Sequence, residues 1–115
     1  MKNSLRLEEL AMFLFSIILF QQTDFAWWWY LVLILAPDIG MLGYLINTKV
    51  GAFSYNLFHH KAVGLFLLVF GWHFSHEWLE LIGLIIFGHA SLDRIFGYGL
   101  KFPDNFKHTH LGWMD

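Results

Sequence analysis

Two aspartates and two histidines, Asp38, His59, His89 and Asp93, lie inside stretches otherwise made of leucine, isoleucine, phenylalanine and glycine. A charged side chain at the centre of a bilayer costs about 2.5–3.5 kcal/mol even on a lenient scale, so such groups must be paired, protonated or bound to a cation. His89 and Asp93 are four residues apart and share one face of a helix. Two imidazoles and two carboxylates suit a divalent metal such as Zn²⁺, Mn²⁺ or Fe²⁺. The chain has no cysteine, which removes thiolate sites and iron–sulfur clusters. The same four groups also suit a proton relay. Each has a simpler role too: Asp38 capping a break after Pro37, Asp93 pairing with Arg94, and the histidines hydrogen bonding between helices.

The surroundings explain why these residues attract attention. Of 115 residues, 57% are hydrophobic and only 14% are charged. A soluble domain carries roughly a quarter charged residues, so lipid is the expected solvent. Aromatic residues make up 20% of the chain, as expected where indole rings line a membrane boundary. Neither the net charge of -2 nor any basic arm suggests a nucleic-acid partner.

Four apolar segments can position the polar residues: about 5–21, 25–47, 50–72 and 77–100. Each is near the roughly 20 residues that cross a bilayer as a helix. The expected fold is therefore all-α, a four-helix transmembrane bundle in a single domain spanning 1–115, with a short cytoplasmic tail at 101–115. Thr23 and Asp24, Thr48, and Ser75 are the expected N-caps of the second, third and fourth helices. The N-terminus has the outline of a signal peptide, but Glu8 and Glu9 interrupt it and no small-x-small site follows, so a retained helix is expected. Lys2, Arg6, Lys49, Lys101 and Lys107 all fall at the N-terminus, in the second loop or in the tail, which puts both termini on the cytoplasmic side of the membrane.

Counting inward at 1.5 Å per residue places Asp38 and His59 roughly 15 Å from the cytoplasmic face, and His89 and Asp93 bracket the same depth. His59 and His60 are neighbours and cannot both point at one partner. A second polar group, His73, His76, Glu77 and Glu80, falls at the outer boundary and reads mainly as a solvated helix end. In the tail, Phe102, Phe106, Leu111 and Trp113 alternate with charges, so folding back over the polar layer competes with lying on the headgroups.

The segments "APDIGMLGYL", "GAFSYNLFHH" and "HASLDRIFGYGLKFPDNFKHTHLG" resemble the small bacterial integral membrane proteins of the domain-of-unknown-function family numbered 4260. That resemblance covers nearly the whole chain and implies no established activity. Its Tyr-Asn-x-x-His pattern falls on Tyr55, Asn56 and His59, which favours His59 over His60 as the inward histidine. The order Pro37-Asp38, His59, His89-x-x-x-Asp93 is also similar to the inner-membrane metal-dependent hydrolases of the LexA-regulated type, although the chain lacks their second acid and arginine-rich histidine motif.

The leading expectation is a membrane-embedded metal-dependent hydrolase of a lipid or phosphoester. Asp38, His59, His89 and Asp93 would hold the metal, and Arg94, Lys101 and His110 would receive an anionic group of a membrane lipid. Glu8, Glu9 and His110 are candidate acids or bases. The alternative is a non-enzymatic homo-oligomeric protein, a proton or cation pathway or an accessory subunit, using the same layer. Bis-histidine haem through His59 and His89 is a minor third expectation.

Overall fold

The computed structural model describes residues 2–113; Met1, Met114 and Asp115, which belong to the expected domain and tail, lie outside the described residues. The chain is all-helical apart from a small hairpin. Helix α1 spans Lys2–Gln21, α2 Trp27–Leu33, α3 Thr48–Phe58, α4 Lys61–His73 and α5 Glu77–Ile95, with a 3₁₀ helix at Ala36–Leu45 between α2 and α3. Strands β1 (His108–Thr109) and β2 (Gly112–Trp113) pair antiparallel in the tail.

Helix α5 is the axis of the fold. Its residues Gly83 through Ser91 are all buried, with α4 against one side and α1 against another. Glycine makes the α4–α5 approach possible: a Cβ on Gly64 would lie 2.7 Å from the Phe87 nitrogen and 2.9 Å from the Gly83 carbonyl oxygen. Small residues at such a contact let the two backbones approach closely. On the α1 side, Ser16 and Tyr30 share a buried 2.7 Å hydrogen bond, and Phe20, Tyr30, Leu68, Leu81, Leu84 and Ile85 form the apolar core.

The expected second helix, 25–47, is broken. Helix α2 gives way at Ile34 and Leu35 to ten residues of 3₁₀ helix, longer than the three or four residues usual for that form. The spacing explains it. In a three-residue turn Pro37, Gly40 and Gly43 eclipse on one face, and that narrow face packs on α3. Ser54 of α3 donates its hydroxyl to the Gly40 carbonyl at 2.5 Å. The looser rise also lengthens the segment: Trp27–Leu45 reaches about 33 Å, beyond the roughly 30 Å of a hydrocarbon core. It is the one described helical segment long and apolar enough to cross a membrane.

The expected third helix, 50–72, is two helices. The chain leaves α3 at His59 (φ -117°, ψ 13°) and extends at His60 (φ -95°, ψ 119°) before α4 begins. At 11 and 13 residues, α3 and α4 are about 16 and 20 Å long, and neither alone spans a bilayer. No proline or glycine marks this break. It is held instead by the His60 ring, whose Nδ1 accepts from the Ala62 N–H, and by Arg94, whose Nη2 donates to the His59 carbonyl.

The caps differ from expectation by one position. Asn47, not Thr48, accepts from Val50 at 2.8 Å, and His76, not Ser75, accepts from Leu79 at 3.3 Å. Ser75 instead occupies a left-handed turn (φ 54°). Ala26 precedes α2 without a side-chain cap, while Thr23 donates back to the Phe20 carbonyl and closes α1. Helix α5 ends at Ile95 rather than near 100. Gly97, at φ 85°, lets the Tyr98 and Gly97 N–H groups bond to the Asp93 and Arg94 carbonyls.

The tail folds back. Lys101 bridges to Thr109, and Asn56 of α3 clamps the Lys101 backbone on both sides, its Oδ1 accepting at 2.6 Å and its Nδ2 donating at 2.8 Å. Elsewhere the surface is unusually apolar, with Leu31, Leu35, Leu42, Leu45, Phe53 and Phe66 all exposed.

Candidate metal centre

Four side chains from three parts of the fold converge. Asp38 comes from the first turn of the 3₁₀ helix, His59 from the end of α3, and His89 and Asp93 from successive turns of α5. One ligand atom from each lies within 4.8 Å of the others. His59 Nε2 and His89 Nε2 are 3.0 Å apart, and Asp38 Oδ1 lies 3.1 Å from both. Asp93 Oδ2 lies 3.4 Å from both. Around a metal with bonds of about 2.0–2.1 Å, neighbouring ligand atoms sit about 2.8–3.4 Å apart, from octahedral to tetrahedral geometry. Five of the six edges therefore have nearly the length that one shared ion requires.

The outer partners fix what these atoms offer. His59 Nδ1 lies 2.8 Å from the Tyr55 carbonyl, and His89 Nδ1 is bonded to the Ile34 carbonyl. A carbonyl only accepts, so both Nδ1 atoms carry hydrogen, and in the neutral rings both Nε2 lone pairs point inward. Two Nε2 lone pairs and two carboxylates then face one another, and the Tyr55 hydroxyl donates to one of them, Asp93 Oδ2. A cation resolves that arrangement, and backbone-held Nδ1–H is the usual support of a metal-bound histidine. The break after α2 contributes directly, because it presents the Ile34 carbonyl to His89.

Burial is uneven. The two histidine side chains are almost fully enclosed, whereas the Asp38 side chain is 43% exposed, so the centre opens on its Asp38 side. The Tyr55 ring stacks on His59 at 3.8 Å between centroids, and its hydroxyl donates to Asp93 Oδ2 at 3.3 Å. The imidazole centroids are 4.7 Å apart at an interplanar angle of 73°. Axial haem ligands need their nitrogens about 4 Å apart, twice a metal–nitrogen bond, with a slot for the macrocycle between them. These rings leave no such slot.

The simpler roles fare differently for each residue. No side-chain cap closes the 3₁₀ helix at Leu35, so the Asp38 carboxylate is spent on the histidines rather than on the backbone. Among the described residues no ion pair joins Asp93 to Arg94. The outer group of His73, His76, Glu77 and Glu80 forms no comparable convergence among the described residues, and His76 serves as a cap.

The three residues expected to receive an anion separate. Arg94 and His110 line one cavity, together with Arg6, Glu9 and Lys61. Lys101 is instead buried beneath the tail, its Nζ 4.8 Å from the Tyr55 ring centre and 4.1 Å from that of Phe106. Glu9 forms a two-point ion pair with Lys61 at 2.7 and 2.9 Å. In the tail, burial and the nearby Arg94 charge push the His110 imidazole below its ordinary range, while a hydrogen bond from His108 holds the exposed Asp104 carboxyl low. Asn56 and Tyr55 are the supporting residues that composition and depth counting missed. Their only sequence signal was the Tyr-Asn-x-x-His pattern.

Fold and centre together define an all-helical protein with a buried pair of histidines and a pair of aspartates able to hold one metal ion. The chain belongs to the family described as Domain of unknown function (DUF4260), whose model matches residues 2–114. No curated protein and no solved structure matches it.

Proposed function

We propose that this protein is a membrane-embedded, metal-dependent hydrolase of a lipid or phosphoester, with Asp38, His59, His89 and Asp93 as the metal ligands. The observation that carries the reading is the convergence of four acceptor atoms whose histidine tautomers are set by backbone carbonyls. When bound there, a divalent metal would supply Lewis-acid activation of water and of a carbonyl or phosphoryl oxygen. Asp38, His59, His89 and Asp93 would hold a borderline divalent ion such as Zn²⁺, Mn²⁺ or Fe²⁺, and the exposed Asp38 side is where water and substrate would approach. Tyr55 orients His59 by stacking and Asp93 by its hydroxyl.

The exposed apolar surfaces of the 3₁₀ helix, α3 and α4 support a lipid environment, and Trp27–Leu45 supports at least one crossing. In this reading α3 and α4 together replace a third crossing, α1 and α5 complete the bundle, and both termini face the cytoplasm. The second reading, a proton or cation pathway in a homo-oligomer, draws on the 3.0 Å Nε2–Nε2 separation, which suits a shared proton as well as a metal.

Elemental analysis of detergent-purified protein separates them. The hydrolase reading expects about one transition metal per chain and none in His89→Ala. Wild-type protein that never holds metal, or a variant that keeps it all, refutes the metal centre. A turnover assay on short-chain lipid esters and phosphoesters then tests catalysis.

A further inference from the structure

The geometry points to a phosphate-monoester site in the open cavity of about 430 Å³ lined by α1, α4, α5 and the tail, with Arg6, Lys61 and Arg94 as its cations. The wall also carries Glu9, giving a formal charge of +2 when His110 is neutral. A phosphate monoester carries about -1.5 to -2 at pH 7 and three acceptor oxygens. Guanidinium groups meet such oxygens in pairs, and the ammonium of Lys61 adds a point charge.

Three features make this more than a basic patch. Leu5 and Leu111 form apolar walls beside the cations, suited to the first carbons of an ester substituent. Lys61 is held by Glu9 rather than left to roam, so its charge is fixed in the wall. Arg94 donates through Nη2 to the carbonyl of His59, which ties the anion site to a residue of the metal centre. His110 is anchored to the same wall by the Leu100 N–H, which donates to its Nδ1 at 2.8 Å.

The inference rests on the hydrolase reading for its place in a reaction, since it names the group that substrate would present. Its binding arm stands apart from turnover. Binding of inorganic phosphate, dihexanoyl phosphatidic acid and dihexanoyl phosphatidylcholine is measured by calorimetry on the full chain in detergent at pH 7, with divalent metal chelated. Phosphatidic acid is expected to bind at least tenfold more tightly than phosphatidylcholine, whose phosphate is a diester beside a fixed cation. Inorganic phosphate binding as tightly as phosphatidic acid assigns the site to free phosphate, and weaker binding assigns it to a lipid headgroup. No difference between the two lipids overturns the proposal.

Two substitutions sharpen the test because both break the same ion pair. Lys61→Gln lowers the wall charge by one and should weaken phosphatidic acid binding roughly tenfold, whereas Glu9→Gln raises it by one and should tighten binding by a similar factor at low salt. A purely structural pair would shift both variants in the same direction, which refutes the site. Arg6→Gln, which disrupts no ion pair among the described residues, should weaken binding severalfold, and unchanged affinity counts against it. Anion binding with these signs but no turnover keeps the cavity and removes the hydrolase. Turnover indifferent to all three substitutions does the reverse.

Discussion

Replacing Asp38 with asparagine should change the sign of its effect on stability when metal is added. Asp38 Oδ1 lies 3.1 Å from both inward nitrogens, and its charge lies within 4.8 Å of the Asp93 ligand oxygen. At an effective dielectric of 20, two carboxylates that far apart repel by about 3 kcal/mol. Exposure of the Asp38 side chain reduces this to about 1 kcal/mol. Without metal, Asp38→Asn should therefore be neutral or stabilising by up to about 1 kcal/mol. With metal at roughly 100 times the wild-type Kd, the ion contributes about 2.7 kcal/mol to the wild type. If the lost charge weakens binding about 100-fold, the variant keeps about 0.4 kcal/mol, a net loss of about 2.3 kcal/mol. Intrinsic tryptophan fluorescence during thermal unfolding in detergent, with chelator and with Zn²⁺ or Mn²⁺, reads both arms. If Asp38 were the partner of a protonated histidine instead, the variant would be destabilised equally in both conditions, and that result would refute the metal argument.

Three further outcomes follow from the same geometry. Asn56→Ala removes both hydrogen bonds to Lys101 and should cost about 2 kcal/mol of local stability, read as faster amide exchange across residues 100–110; unchanged exchange would show that the tail is held elsewhere. His110 has its pKa lowered by burial and by Arg94, so folding favours its neutral form. Its contribution is present above the ordinary value of 6.5 and lost as pH falls below it; the protection factors of the tail amides should fall there, and protection unchanged over the same range in His110→Gln would identify the titrating group. Gly64→Ala puts a methyl against the α5 backbone and should destabilise by about 1–3 kcal/mol with or without metal, a metal-dependent effect being inconsistent with simple overpacking.

Much of the centre was legible because depth along a helix is nearly linear in residue number. Counting from loop positions put Asp38, His59, His89 and Asp93 in one layer, and the i, i+4 spacing put His89 and Asp93 on one face. The breaks change helix type and direction yet leave the four ligand atoms within 4.8 Å of one another. The caps were missed by one residue at Asn47 and His76 because asparagine next to threonine, and histidine next to serine, are near-equal candidates until the backbone chooses.

By itself, the sequence determined an apolar, all-helical chain and which four side chains could share an ion, because composition and helical pitch are properties of the chain alone. Only the tertiary structure decided that the middle spans break. The 3₁₀ turn forms where Pro37, Gly40 and Gly43 meet α3, and the His59–His60 bend is fixed by Arg94 reaching across from α5. It also decided that Lys101 is buried beneath the tail while Arg6, Lys61 and Arg94 share a cavity. Those outcomes bring together residues as far apart in the chain as Leu5 and Leu111 in one cavity wall, which no local spacing encodes.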